Sequence, residues 1–592
     1  MSTVDTSYLN RDLPVEERVE KLLAQMTLQE KAGLLFQTMI SMGPDGQLSD
    51  GDSVFGLPSN KEYLTGRLMS HFNILSAAPT VEAMATWYNR LQELAATTRL
   101  GIPVTISSDP RHSYTDNPLL GVATSTFSLW PEPLGLAAIG DEKLVETFGD
   151  IARQEYTAVG IRVALHPQVD LATEPRWSRQ LQTFGEDPHL SSRLGAAYIR
   201  GFQGAALGAN SVATMTKHFP GGGPQLDGED AHFAHGREQV YPGGQFELHL
   251  KPFEAAFDAG TSQIMPYYGM PIGTEYEEVG FGFNKSVITG LLRERYGFDG
   301  IVCTDWGLIT DNEVFGEPFP ARAWGVEHLS PRERMVKVLE AGVDQFGGEA
   351  NPELLVDLVR NGDVSEARLD ISARRLLREK FVLGLFDDQR YVDVAHAASV
   401  VGSTEFVTAG EAAQRASVTL LTNTVVKGHS ILPLGRGAKI YVEGVPAEVA
   451  NAYGSVVTDP QQADVAILRL QAPFEERTAT FESMFHAGSL DFPEDQLAHV
   501  REIAAVIPTV VDVFLDRPAV LTPLVDHTAA IVGTFGASPE AVLDVIFGAA
   551  EPQGNLPFDL PSSMEAVRGN RPDVPFDTAD PLFRFGHGLR YS

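Results

Sequence analysis

The chain has 592 residues, a formal net charge of −33, 43% hydrophobic residues and 21% charged residues. This is the composition of a soluble globular protein long enough for two cores, and its charge repels nucleic acid and anionic membrane surfaces. A single cysteine, Cys303, excludes an intramolecular disulfide, and no apolar run approaches the ~20 residues that a membrane span needs.

The N-terminal stretch MSTVDTSYLNRDLPVEERVEKLL has neither a basic nor an apolar segment, so a cytoplasmic location is expected. Up to about residue 385, short apolar runs alternate with amphipathic helical patterns. Strands are predicted at 104–108, 162–165, 213–216, 262–266, 300–304 and 341–346. Helices are predicted at 144–159 and 286–296, closed by Gly160 and Gly297. Repeated strand–helix units of this length predict an N-terminal (β/α)8-type, TIM-like barrel over 1–385. A polar stretch, 386–406, reads as a linker, and β/α alternation resumes over 407–560 as an α/β sandwich domain. Within it Ser538 and Pro539 form a helix start, and 561–592 is a Pro/Asp-rich tail expected to pack back on the body.

The residues able to do chemistry follow the predicted strands: Asp109, Asp170, Lys217 with His218, Tyr267 with Tyr268, and Asp305 with Trp306. In a barrel that C-terminal rim is where active sites are built. The β-branched run of residues 301–304 delivers Asp305 and Trp306 together. A carboxylate there can attack an anomeric carbon, and an indole can stack on the apolar face of a pyranose. No Gly-rich phosphate loop follows a strand and no zinc-type ligand spacing occurs, so neither cofactor nor metal is expected. The acidic, His-bearing run 227–235 is the one candidate for a cation, and it reads as a solvated loop.

Seven segments in one order resemble glycoside hydrolase family 3, in its two-domain β-glucosidase and exo-β-glucanase form. They are Met26-Thr27-Leu28-Gln29-Glu30-Lys31, Gly101-Ile102-Pro103 leading to Asp109, Pro175-Arg176-Trp177-Ser178-Arg179 with Phe184-Gly185-Glu186-Asp187-Pro188, Lys217-His218-Phe219, Met265-Pro266-Tyr267-Tyr268, Thr304-Asp305-Trp306, and a C-terminal set. The last comprises Arg517-Pro518, Gly554-Asn555-Leu556-Pro557 and Phe585-Gly586-His587-Gly588-Leu589.

The resemblance implies a retaining, exo-acting β-glucosidase that releases terminal β-glucosyl units from small glucosides or gluco-oligosaccharides through a glycosyl–aspartate intermediate. Asp305 is then the nucleophile. Asp109, Arg176, Lys217 and His218 are implied to bind the sugar, with Met265, Tyr268 and Trp306 completing the pocket. The acid/base is implied to be a Glu on a second-domain loop after residue 470; Glu476 is the first candidate, then Glu475 and Glu482. The lysine–histidine segment also resembles the β-N-acetylglucosaminidase branch, which adds His232 as an outside candidate. All five tryptophans precede residue 325, so a second-domain aromatic contact falls to Phe474, Phe481 or Phe485. The alternatives are a β-N-acetylglucosaminidase or β-xylosidase on the same scaffold, or a catalytically silent sugar-binding protein. The expected partner is a small carbohydrate or glycoside, with no nucleic acid and no membrane; a homodimer stays open.

Overall fold

The computed structural model describes residues 4–75, 80–115, 126–426 and 428–591. Eight parallel strands form the first sheet: β1 (Phe36–Ile40), β2 (His71–Ile74), β3 (Thr105–Ser108), β4 (Ile161–Ala164), β5 (Ala213–Phe219), β6 (Gln263–Pro266), β7 (Ile301–Val302) and β8 (Phe346–Gly347). Their order is β8-β1-β2-β3-β4-β5-β6-β7. The ends meet just beyond β7, where Cys303 bridges Gln345 and the Thr304 N–H donates to the Gln345 carbonyl at 2.9 Å, so the sheet closes on itself. Every residue of β2, β3, β4 and β6 is buried, as parallel strands covered on both faces must be.

Two barrel strands were absent from the predicted set. β1 and β2 carry polar residues inward, where Gln37 Nε2 donates to Ser107 Oγ at 2.8 Å and Asn73 Nδ2 to Asp109 at 3.0 Å. Such residues dilute the apolar run on which strand prediction rests. The strand predicted over 341–346 is corrected more sharply. Ala341 ends the helix Pro331–Ala341, which starts on a Ser330/Glu333 capping box and stops at Gly342 with φ 104°. Only Phe346 and Gly347 remain for β8.

The second sheet comprises β9 (Thr419–Asn423), β10 (Lys439–Glu443), β11 (Ser455–Val456), β12 (Val465–Gln471), β13 (Thr509–Phe514) and β14 (Ala530–Thr534), ordered β9-β14-β13-β12-β10-β11. β9 runs antiparallel to β14, and the other pairs are parallel. Alternation puts Val510 and Val532 in one apolar cluster, and Val511, Val513 and Ile531 in another. The latter also takes in Leu134 and Ala138 from the barrel helix Pro133–Ile139, so one apolar seam seats the sheet on the barrel. Residues 386–406, read as a linker, include the helix Val394–Val400, packed on Val81–Ala96 and Glu142–Ala158. In the tail, Asp573 accepts the Gly243 and Gln245 N–H groups at 2.8 Å each. No helix among the described residues is long and apolar enough to cross a membrane.

Candidate active site

A cavity of about 860 Å³ opens at the C-terminal rim of the barrel and is roofed by residues of the second unit. Its floor carries Asp305. Thr304 accepts the Gly347 N–H through Oγ1 at 2.8 Å, which fixes the turn after β7. Asp305 Oδ1 accepts the Trp306 N–H at 2.8 Å. Oδ2 is buried without a hydrogen-bond partner among the described residues. An enclosed carboxylate oxygen lacking a donor is costly, and it is the atom left available to a ligand.

His218, from β5, brings Nε2 to 3.8 Å from that oxygen. Burial, reinforced by the Arg179 charge, holds His218 well below the ordinary histidine range. The ring is therefore neutral, and the 3.8 Å approach is no ion pair. Its Nδ1–H donates to Asp170 Oδ2 at 2.8 Å, and Nε2 accepts from Arg179 Nη1 at 3.2 Å. Burial pushes Asp170 up to about 6, against the N–H groups of Gly222 and His218 that it accepts.

The closed end is polar. Asp109, directly after β3, accepts from Asn73 Nδ2 at 3.0 Å and from Lys217 Nζ at 3.2 Å, and both members of the charge pair are buried. Gln168 Nε2, Ser178 Oγ and Trp306 Nε1 line the cavity and have no partner among the described residues. Met265 from β6 lies beneath, and the Tyr268 hydroxyl donates to the Trp306 carbonyl at 2.9 Å. The Trp306 ring lies so close to Gly347 and Gly348 that a Cβ at Gly348 would meet it at 2.7 Å. Asp305, Asp109, Lys217, His218, Met265, Tyr268 and Trp306 thus share one cavity.

Arg176 does not join them, and its expected role as a sugar ligand is corrected. Its Nε donates to the fully buried Glu174 at 2.8 Å, and its Nη1 approaches Asp227 at 3.4 Å. Arg179, three residues on, lines the cavity instead and supplies the positive charge beside His218. Trp177 between them is wholly buried, with Nε1 donating to Asp230 at 3.2 Å.

The acidic 227–235 loop is tied up internally and to the roof. Asp230 accepts from His232 Nδ1 at 2.6 Å, and Glu229 from Arg477 at 2.7 Å. Despite burial, His232 and Arg179 hold Asp230 well below the usual carboxylate range. Among the described residues no group of three His, Cys, Asp or Glu could hold a metal ion. His232 itself lines the cavity, its ring 4.7 Å from Tyr268 and 5.0 Å from Phe485.

The roof loop after β12 folds back on itself. Glu475 bridges Ala487, and the buried Arg517 donates to the carbonyls of Pro473, Ala487 and Ser489 at 2.7, 3.0 and 3.1 Å. Glu475 and Glu476 consequently stand at the base of the loop, exposed and outside the cavity lining. Glu475 accepts the Ser489 N–H at 3.1 Å. Glu482 is not among the cavity-lining residues either, so the lining itself does not rank the three candidates. Phe481 and Ser483 to His486, at the tip, line the cavity. Glu482 belongs to that tip, and its carboxylate lies 3.2 Å from His235 Nε2. Of the predicted aromatic contacts, Phe481 and Phe485 line the cavity, whereas Phe474 stacks on His486 at 3.9 Å.

Arg179 and Arg322 are among the cavity residues to which the sequence reading gave no role. Arg179 was visible within its motif; Arg322 carries no local signal, since only the folded loop puts it beside Trp306, whose carbonyl it reaches at 2.6 Å.

A closed parallel barrel whose rim holds a partnerless buried carboxylate among hydroxyl-binding groups has the makings of a carbohydrate-processing enzyme. Comparison with known proteins gives the family. The model described as "Glycosyl hydrolase family 3 N terminal domain" matches residues 61–379, and that described as "Glycosyl hydrolase family 3 C-terminal domain" matches 440–591. The chain belongs to glycosyl hydrolase family 3 and is a glycoside hydrolase. Its relatives include "Beta-glucosidase C" of Emericella nidulans, 51% identical over 99% of this chain and 94% of that one. Another is "Periplasmic beta-glucosidase/beta-xylosidase" of Dickeya chrysanthemi, 42% identical over 98% of this chain and 91% of that one. Among solved structures, a β-glucosidase from Listeria innocua in complex with isofagomine has a TM-score of 0.76 at 24% identity, covering 97% of this chain and 83% of that one. An exo-1,3/1,4-beta-glucanase from a Pseudoalteromonas species has a TM-score of 0.76 at 23% identity, covering 99% of this chain and 74% of that one. These two likenesses concern the fold.

Proposed function

We propose that the chain is a retaining, exo-acting β-glucosidase. The observation that carries the reading is Asp305, one oxygen held by the Trp306 N–H and the other buried in the cavity without a hydrogen-bond partner among the described residues. Asp305 Oδ2 attacks the anomeric carbon while an acid protonates the departing oxygen. The glycosyl–aspartate ester is then hydrolysed by water, deprotonated by the same group now acting as base. Asp109 accepts from sugar hydroxyls; Lys217 and Arg179 donate to others, and this charged end blocks the pocket, which favours exo action. The names carried by relatives support glucose as the sugar.

Glu482 is the acid/base in this reading. It stands at the loop tip between the cavity-lining Phe481 and Ser483, with His235 Nε2 at 3.2 Å and Arg477 Nη1 at 3.9 Å from its carboxylate. Release of nitrophenol from a panel of aryl β-glycosides tests the proposal. Glucoside turnover should vanish in Asp305→Asn, and a fluorosugar should label Asp305. Glu482→Gln should lose most turnover yet form glycosyl azide when azide is added; azide rescue of Glu475→Gln or Glu476→Gln instead would move the acid. The panel includes the xyloside because one relative is named for both sugars. Silence across all substrates would refute the reading.

A further inference from the structure

The mouth of the cavity is built differently from its floor. A β-hairpin of residues 312–319 stands at its edge and carries two aromatic rings into the lining, Phe315 at the turn and Phe319 at the end. Phe315 packs on Phe55 with centroids 5.7 Å apart, and Phe319 on Phe481 at 4.7 Å. Phe481 continues to Phe485 at 5.5 Å. The hairpin is fixed in place, because Glu317 accepts the Thr480 N–H at 3.1 Å and its hydroxyl at 3.3 Å.

Three charged groups that share this mouth are engaged with neighbouring backbone or hydroxyl groups, while Glu313 on the hairpin also lines the cavity and Arg322 Nε has no partner among the described residues. Arg67 Nη1 donates to the Ala350 carbonyl at 2.6 Å, and Arg322 Nη2 to the Trp306 carbonyl at 2.6 Å. Glu349 accepts the Ile309 N–H at 2.8 Å and the Thr310 hydroxyl at 2.6 Å. A second sugar ring placed there brings several hydroxyls that need partners, and each left unpaired on desolvation is costly. A flat apolar group needs none and gains contact with the rings.

We infer that the outer part of the cavity is an aglycone site for an aromatic or other flat apolar group, and that the 312–319 hairpin is its specificity element. The inference rests on the β-glucosidase reading. It sets the natural substrates among glucosides of apolar alcohols rather than among β-linked glucose oligomers. A fixed hairpin supports this, since a preorganised wall binds its ligand without an ordering cost.

The test compares 2-phenylethyl β-glucoside with cellobiose and laminaribiose, all with aliphatic alcohol leaving groups, so leaving-group chemistry does not set the order. The 2-phenylethyl glucoside should exceed both disaccharides in kcat/KM by about tenfold or more, on the scale of one to two aromatic contacts. Phe315→Ala, at a half-exposed turn, and Phe481→Ala should each lower that preference about 3- to 10-fold. Disaccharides turned over equally well or better, or a preference unmoved in both variants, would overturn the inference. β-Glucosyl fluoride, which has no aglycone, separates the two levels. Turnover of the fluoride without aglycone preference sinks only this inference, whereas an inert fluoride sinks the β-glucosidase reading and this one with it.

Discussion

Replacing Asp170 with Asn tests whether His218 works in one tautomer. The side chain is buried, and its Oδ1 accepts the backbone N–H groups of His218, at 3.2 Å, and Gly222. Those two donors hold the oxygen of an Asn in the same place, so the new NH₂ falls where Oδ2 now accepts His218 Nδ1–H at 2.8 Å. Donor then meets donor. If the ring moves its proton to Nε2 to escape, that N–H meets Arg179 Nη1, which now donates across 3.2 Å. Either arrangement forfeits a charge-assisted hydrogen bond in a site where His218 is 1% exposed, at a cost of about 1.5–3 kcal/mol. If the ring is held correctly only for the transition state, kcat/KM falls roughly 10- to 150-fold. The assay is aryl glucoside hydrolysis across pH, with His218→Ala and the double variant completing a cycle. Because Asp170 titrates near 6, wild-type kcat/KM should decline below that pH, and the variant should lack this limb. Wild-type rates in Asp170→Asn, or strict additivity with His218→Ala, would refute the tautomer argument.

Arg176→Ala should cost about 3 kcal/mol in urea unfolding, because it leaves the buried Glu174 carboxylate without its partner; kcat/KM of the folded enzyme should stay within about threefold. Arg179→Ala should do the reverse and lower kcat/KM at least about tenfold, the worth of one charged hydrogen bond. Glu186, buried at the seam between barrel and tail, accepts the Asp559 and Phe576 N–H groups at 2.7 Å each, and burial pushes it up to about 8. A carboxyl raised in the folded state adds stability that is fully present below the unfolded value near 4.5 and is lost as pH rises through about 8. The wild-type Tm should therefore fall between about pH 4.5 and 8, and Glu186→Gln should flatten that slope. Equal slopes in the two proteins would refute it.

How much of the site the sequence exposes follows from how local each constraint is. Asp109, Lys217, His218, Tyr268 and Asp305 were legible because each lies in or directly after an apolar strand, and strand ends in a barrel converge whatever the loops do. Arg176 and Arg179 share one motif, and choosing between them needed the partner. Glu174, two residues before Arg176, captures that guanidinium from its own chain neighbourhood and leaves Arg179 for the cavity. The strands β1 and β2 were hidden because their inward residues serve Asp109 and Ser107 through hydrogen bonds rather than through apolar contact.

The roof loop was illegible for a physical reason. Counting residues from the end of β12 places Glu475 and Glu476 over the mouth only if the chain runs straight on. It turns back instead, because one guanidinium holds both of its legs: Arg517 takes the carbonyls of Pro473 on the outgoing leg and of Ala487 and Ser489 on the return. The same group reaches across the seam, where its Nη1 donates to the Arg176 carbonyl at 2.8 Å. Arg176 opens the short segment that ends in the cavity-lining Arg179, so one buried arginine links the loop carrying Glu482 to that barrel segment. Burial pushes Arg517 down to about 10, still far above neutrality, so it stays charged and its carbonyl contacts remain charge-assisted. In the proposed reading the acid, Glu482, and the glycone pocket come from different units of the chain. Arg517 adds a charge-assisted tie to the apolar seam and to the Arg477–Glu229 and Thr480–Glu317 bonds that hold the two units in register.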